Sequence, residues 1–214
     1  MGKNRNRIRT KIQISEYSSI YLFVFILLLI GIVFGAILVN SMNFIQKQDL
    51  FFYLHQFLED IQGERLLQTK DLFQSSFFYH FKYILLIFIL GLSIIGIPVI
   101  WIFIFMKGIV IGFSVGFLVN QLGWYGLLMA TVSIAPQNLF IIPAYIIAGS
   151  FGMIFSLHLI RRLFSSRIQK TSIRNLFVQY YTVLLIVLVI AFIGALIETF
   201  ISPYTMRLVS QWVL

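Results

Sequence analysis

The sequence predicts an all-α, polytopic integral membrane protein with about five transmembrane helices, a cytoplasmic N-terminus and an extracytoplasmic amphipathic helical loop. The first observation behind this is compositional: of 214 residues, 60% are hydrophobic and 11% charged, at a mean hydropathy of +0.96. A globular chain carries about 25% charged residues, so this one must be solvated largely by lipid and by itself. The second is that the apolar residues gather into five long runs, and the third is that basic residues cluster at alternate connections. A cytosolic enzyme, a secreted disulfide domain and a disordered tail are excluded together. The lack of cysteine also removes thiolate metal sites and cysteine nucleophiles.

Residues 1–19 read as a basic cytoplasmic arm carrying Lys3, Arg5, Arg7, Arg9 and Lys11, and 20–214 as a single membrane domain. The arm is a topology signal attracted to anionic lipid. It lacks the interleaved aromatics of a nucleic-acid binder, and no nucleic acid is expected. The first span, 20–39, is twenty residues without a charge, which matches a hydrocarbon core of about 30 Å. The basic region before it and Val39-Asn40-Ser41 after it loosely resemble a signal peptide. Twenty apolar residues exceed the usual h-region, so an uncleaved signal anchor is expected. An outer loop, 40–82, follows. Spans two and three, 83–106 and 108–122, are separated by Lys107 alone; a fourth run covers 124–160 and a fifth 176–201.

Charge fixes the expected orientation. Arg161, Arg162, Arg167, Lys170 and Arg174 follow the fourth run, and both this cluster and the N-terminal arm should be cytoplasmic. Five crossings then put 40–82 outside, Lys107 inside, 121–126 outside, 161–174 inside and the C-terminus outside. Eleven bases face Glu16 inside, and five bases face six acids outside. Splitting the fourth run into two crossings would move five bases to the outside, which is why five spans are preferred to six.

In the outer loop, Leu50, Leu54, Phe57, Leu58 and Ile61 recur at helical spacing among Gln48, Asp49, Gln56, Glu59 and Asp60. This is the pattern of an amphipathic helix, ending near Gly63. Such a helix rests on the outer leaflet, packs on the bundle or docks a partner's groove; Leu50, Phe51, Leu54, Phe57 and Leu58 are the candidate partner-binding residues. His55 and His80 have no companion at metal-ligand spacing. They are read as ordinary interfacial residues, and neither a metal nor a cofactor is expected.

Within the spans, small residues recur four apart: Gly31 and Gly35, then Gly108, Gly112 and Gly116, then Ala144, Ala148 and Gly152, and Ala191 with Ala195. Close helix contact in lipid relies on such faces, which serve a packed monomer or a homo-oligomer. The fourth run, 37 residues long, would reach about 55 Å as one helix, so it is expected to break. Pro136 and Pro143 supply the breakers, and Gln137 and Asn138 place two carboxamides beside them. These carboxamides either satisfy the freed carbonyls or line a polar site. Glu198 and His158 are the ionisable residues expected within spans, with Glu198 reaching the outer interface. No catalytic constellation is present: every Asp lies outside the apolar runs, and the glycines sit in lipid-length helices rather than a phosphate loop.

The segment 133–149, beginning Ser133-Ile134-Ala135-Pro136-Gln137-Asn138 and continuing through Pro143-Ala144-Tyr145, resembles the stage II sporulation protein M family. So do Gly31-Ile32-Val33-Phe34-Gly35-Ala36 and Gln46-Lys47-Gln48-Asp49-Leu50. Many members of the wider family carry a His-Gly pair and a following Glu where this chain has Gln137-Asn138 and Ile141. The resemblance implies a non-enzymatic scaffold at the sporulation septum and engulfing membrane. There it would anchor a complex with the peptidoglycan-degrading stage II sporulation proteins P and D during engulfment. The contrasting class is a small transporter or channel built on the broken fourth helix.

Overall fold

The computed structural model describes residues 17–62, 69–164 and 173–210. They form six helices: α1 Ser18–Ser41, α2 Phe44–Gln62, α3 Thr69–Gly91, α4 Gly96–Ser133, α5 Ala135–Phe164 and α6 Ile173–Ser210. All but α2 are long and apolar enough to cross a bilayer. The protein is therefore an all-helical polytopic membrane protein. Most of the basic arm, together with Arg167 and Lys170, lies outside the described residues.

The small-residue faces decide how the spans meet. A Cβ on Gly31 would run into the Phe105 carbonyl, one on Gly35 into that of Ile109, and one on Gly112 into that of Ile32. Backbone therefore touches backbone along α1 and α4, a contact only glycine permits. The register climbs together on both helices: Phe23 meets Trp101, Gly31 meets Gly108, Ala36 meets Gly116, and Asn40 meets Asn120. Hence α1 and α4 are parallel, and an even number of crossings separates their starts. The alanine faces are used inside the same bundle, where Ala144, Ala148, Ala191 and Ala195 are all buried. Around them Val24, Ile84, Ile104, Ile141 and Val187 bring one core residue from each span.

Two boundaries differ from the sequence expectation. The chain reverses at 92–95, inside the run read as span two, between Gly91 and Gly96, whose added Cβ atoms would strike Tyr180 and Leu90 respectively. Residues 92–95 carry no charge, so hydropathy does not mark the turn. Lys107 consequently sits within α4 rather than in a cytoplasmic connection, and the outer loop ends where α3 begins at Thr69. Residues 69–82 read as loop because of Asp71, His80 and Lys82, yet they are the first half of a span.

The chain breaks once just before the fourth run and once within it, whereas Pro143, expected as a second breaker, lies inside α5. Gly123 takes φ 57° and ψ −127° inside α4, a conformation that glycine adopts at least cost. Beyond it the chain folds back, so that a Cβ on Gly126 would meet the Leu118 carbonyl. Leu118, Met129 and Ala130 form a small second core there. A second interruption falls at Ile134, between α4 and α5. At the opposite end of the bundle, Tyr17 reaches His158 at 3.2 Å and Ser156 Oγ donates to the Ser93 carbonyl at 2.9 Å. The start of α1, the 92–95 turn and the arginine-bearing end of α5 thus share one end, the end that the charge rule expects inside.

A polar cavity at the helix break

Pro136 has no N–H, so the Val132 carbonyl loses its helical partner. The last span supplies replacements. Thr205 Oγ1 lies 3.2 Å from the Val132 carbonyl, and Ser202 Oγ lies 2.8 Å from the Ser133 carbonyl and 3.0 Å from Gln137 Oε1. Asn138 closes the next position itself, donating from Nδ2 to the Ile134 carbonyl at 2.8 Å. In a bilayer, where water is scarce, this keeps the broken backbone satisfied.

One turn below Ser202 on α6 stands Glu198, aimed into the bundle. Its Oε2 accepts from Ser76 Oγ at 2.6 Å and lies 3.2 Å from His80 Nε2. His80 is buried, and its Nδ1 is 3.5 Å from the Tyr145 hydroxyl. A neutral imidazole that donates from Nε2 to the carboxylate and accepts the tyrosine proton at Nδ1 satisfies both contacts. Tyr145 and Tyr79 in turn hold Lys107, whose Nζ stands 5.1 and 5.3 Å from their ring centres, within cation–π range. Four helices are thereby joined through one polar cluster. Ionisable groups at membrane depth are costly and concentrate where function requires them.

Beside the cluster opens a cavity of about 470 Å³. Its walls are Ser75, Ser76 and Tyr79 of α3, Ser133 and Gln137 at the break, Glu198, Thr199 and Ser202 of α6, and Phe57 of α2. Two candidates that the sequence kept apart, Phe57 and Gln137, therefore face the same space. Pro143 and Asn138 instead line a separate, largely apolar cavity of about 460 Å³ with Ile111, Leu139 and Ile142.

The predicted stripe on α2 divides. Leu54 packs on the second core, Leu50 is half-buried, and Phe51 and Phe57 are partly exposed; the side chain of Leu58 lies outside the described residues. Phe52 and Tyr53, both 67% exposed, turn outward with Phe44 and Ile45. His55 pairs with Glu59 at 3.3 Å, as an ordinary surface pair would. His80 corrects the expectation of an interfacial residue, and Glu198 points inward rather than to the outer interface. His80 and Lys107 join Glu198 and His158 as ionisable residues within spans. A signal was present: Ser76, Tyr79, His80 and Tyr83 recur at helical spacing, marking a polar face.

Comparison with curated proteins gave no match, and comparison with solved structures gave none. The stage II sporulation protein M family does match, over residues 24–203, from within α1 to within α6; the chain belongs to that family and is a sporulation-related multi-pass membrane protein.

Proposed function

We propose that this protein is a non-enzymatic membrane anchor that localises a peptidoglycan-degrading complex at the sporulation septum and engulfing membrane. Stage II sporulation proteins P and D are the partners that family membership suggests. The observation that carries this reading is α2. It is held against α6 and the second core through Leu54, yet it presents Phe44, Ile45, Phe52 and Tyr53 outward. It lies at the end of the bundle opposite the basic one, the wall side if the charge rule holds. An amphipathic helix fixed in place with an unpacked aromatic face is suited to a partner's groove. The docking segment on this reading is the helix bearing Leu50, Phe51, Leu54, Phe57 and Leu58, with Phe52 and Tyr53 added. The test is a mild-detergent purification of the tagged protein from sporulating cells. A wall hydrolase should be enriched over a control membrane protein; recovery of this chain alone would count against the anchor.

A second reading, a small transporter or channel using Pro136, Gln137, Asn138 and Pro143, draws support from the cluster of Glu198, His80 and Lys107 beside the break. It expects solute flux by the purified protein in liposomes, diminished by Asn138→Leu. The anchor expects none.

A further inference from the structure

The cavity at the helix break is lined by six hydroxyl side chains, Tyr79 among them, and the protons of four are committed away from it. Ser76 donates to Glu198 Oε2, Ser133 to the Met129 carbonyl, Thr199 to the Ala195 carbonyl, and Ser202 to the Ser133 carbonyl. What these groups still offer the cavity is lone pairs. Glu198 adds to them. Its side chain is 34% exposed beside the cavity, and both its hydrogen bonds end on Oε2. Among the described residues nothing bonds Oε1. Lys107 does not fill that place: it lines a different, smaller cavity with Tyr79, Tyr83 and Tyr145. The ion pairs among the described residues are His80–Glu198 and His55–Glu59.

An acceptor-rich space with one open carboxylate oxygen calls for a cationic donor. A bare divalent ion fits poorly, because the described residues contain no cluster of three His, Cys, Asp or Glu side chains that could hold one. The surrounding walls, Phe57, Leu72, Ile134 and Met206, favour a cation carried on carbon. We infer that this cavity is a binding site for a primary ammonium group, supplied either by a lipid headgroup or by a free amine. The ammonium donates to Glu198 Oε1 and to neighbouring hydroxyl or carboxamide oxygens, while its carbon substituents lie against the apolar walls. This site stands independently of the anchor and transport readings.

The test uses the purified full-length protein. Native mass spectrometry from micelles containing equal amounts of phosphatidylethanolamine, phosphatidylcholine and phosphatidylglycerol compares a primary ammonium with its trimethylated form and with a headgroup lacking nitrogen. A lipid source gives roughly tenfold more retained phosphatidylethanolamine than either other lipid, the scale of one charge-assisted hydrogen bond. That preference should vanish in Glu198→Gln and in Ser75→Trp, which fills the cavity wall without removing a donor to Glu198. A free-amine source gives no lipid preference, but ethanolamine raises the melting temperature of the wild type, choline does not, and Ser75→Trp abolishes the effect. Equal retention of the three lipids with no response to ethanolamine overturns the proposal. So does a preference that survives both substitutions.

Discussion

Gly112 and Gly116 lie one turn apart on α4 and carry different loads. A Cβ on Gly112 would meet the Ile32 carbonyl, whereas one on Gly116 would first meet Ala36 Cα at 3.0 Å. Backbone cannot rotate aside as a side chain can, so Gly112→Ala should cost about 1–3 kcal/mol. Gly116→Ala should cost less, and melting temperatures in one detergent compare the two. Ser202 offers a second test, since Ser202→Ala strands the Ser133 carbonyl and should lower stability by about 1–3 kcal/mol. Much at this scale was legible. Glycines four apart announce a close contact, and Pro136 announces a break; Pro143 suggests another, yet it lies inside α5. The groups that repair the break were not legible, because Ser202 and Thr205 stand 66 and 69 positions after Pro136. Nothing in a linear pattern joins them to it.

The helices α2 and α3 show why one polar segment could be read and another could not. In α2, charged and apolar residues segregate around the helix, so the amphipathic pattern was visible; Gly63, where its end was expected, lies outside the described residues. In α3, Ser76 and His80 face inward onto Glu198, so the polar residues that suggest an aqueous loop are solvated by protein instead. Residues 92–95 hide the matching turn because they are apolar and flanked by glycine. Substitutions on α2 should separate two roles. Leu54→Glu puts a charge against the second core and should lower the melting temperature, whereas Phe52→Glu should leave the melting temperature unchanged. The reversal at 92–95 is testable by labelling, since the chain has no native cysteine. Ser93→Cys should react only with a maleimide that reaches the cytoplasm, and Ser75→Cys with one confined to the outside. Ser93→Cys inert from both sides would restore the longer second span.

Across the whole molecule, the crossings alternate. Parallel packing of α1 with α4, and the meeting of Tyr17 with His158, gather the basic end of the bundle at one side. The count of five was accessible from the sequence because charge parity constrains it more tightly than hydropathy does. The cluster of His80, Lys107, Tyr145 and Glu198 was not, since its members come from four helices and only the tertiary fold brings them together. An aromatic face on α2 and a polar cavity beneath it then occupy the end expected to face the wall. The most direct test of the anchoring role is quantitative co-purification from sporulating cells, comparing the wild type with the Phe52→Glu/Tyr53→Glu variant at matched membrane levels. Wall hydrolase should accompany the wild type and fall at least about tenfold with the variant, the loss expected for an aromatic hot spot. Equal recovery with both proteins would remove α2 as the docking surface, and no hydrolase with either would contradict the anchor itself.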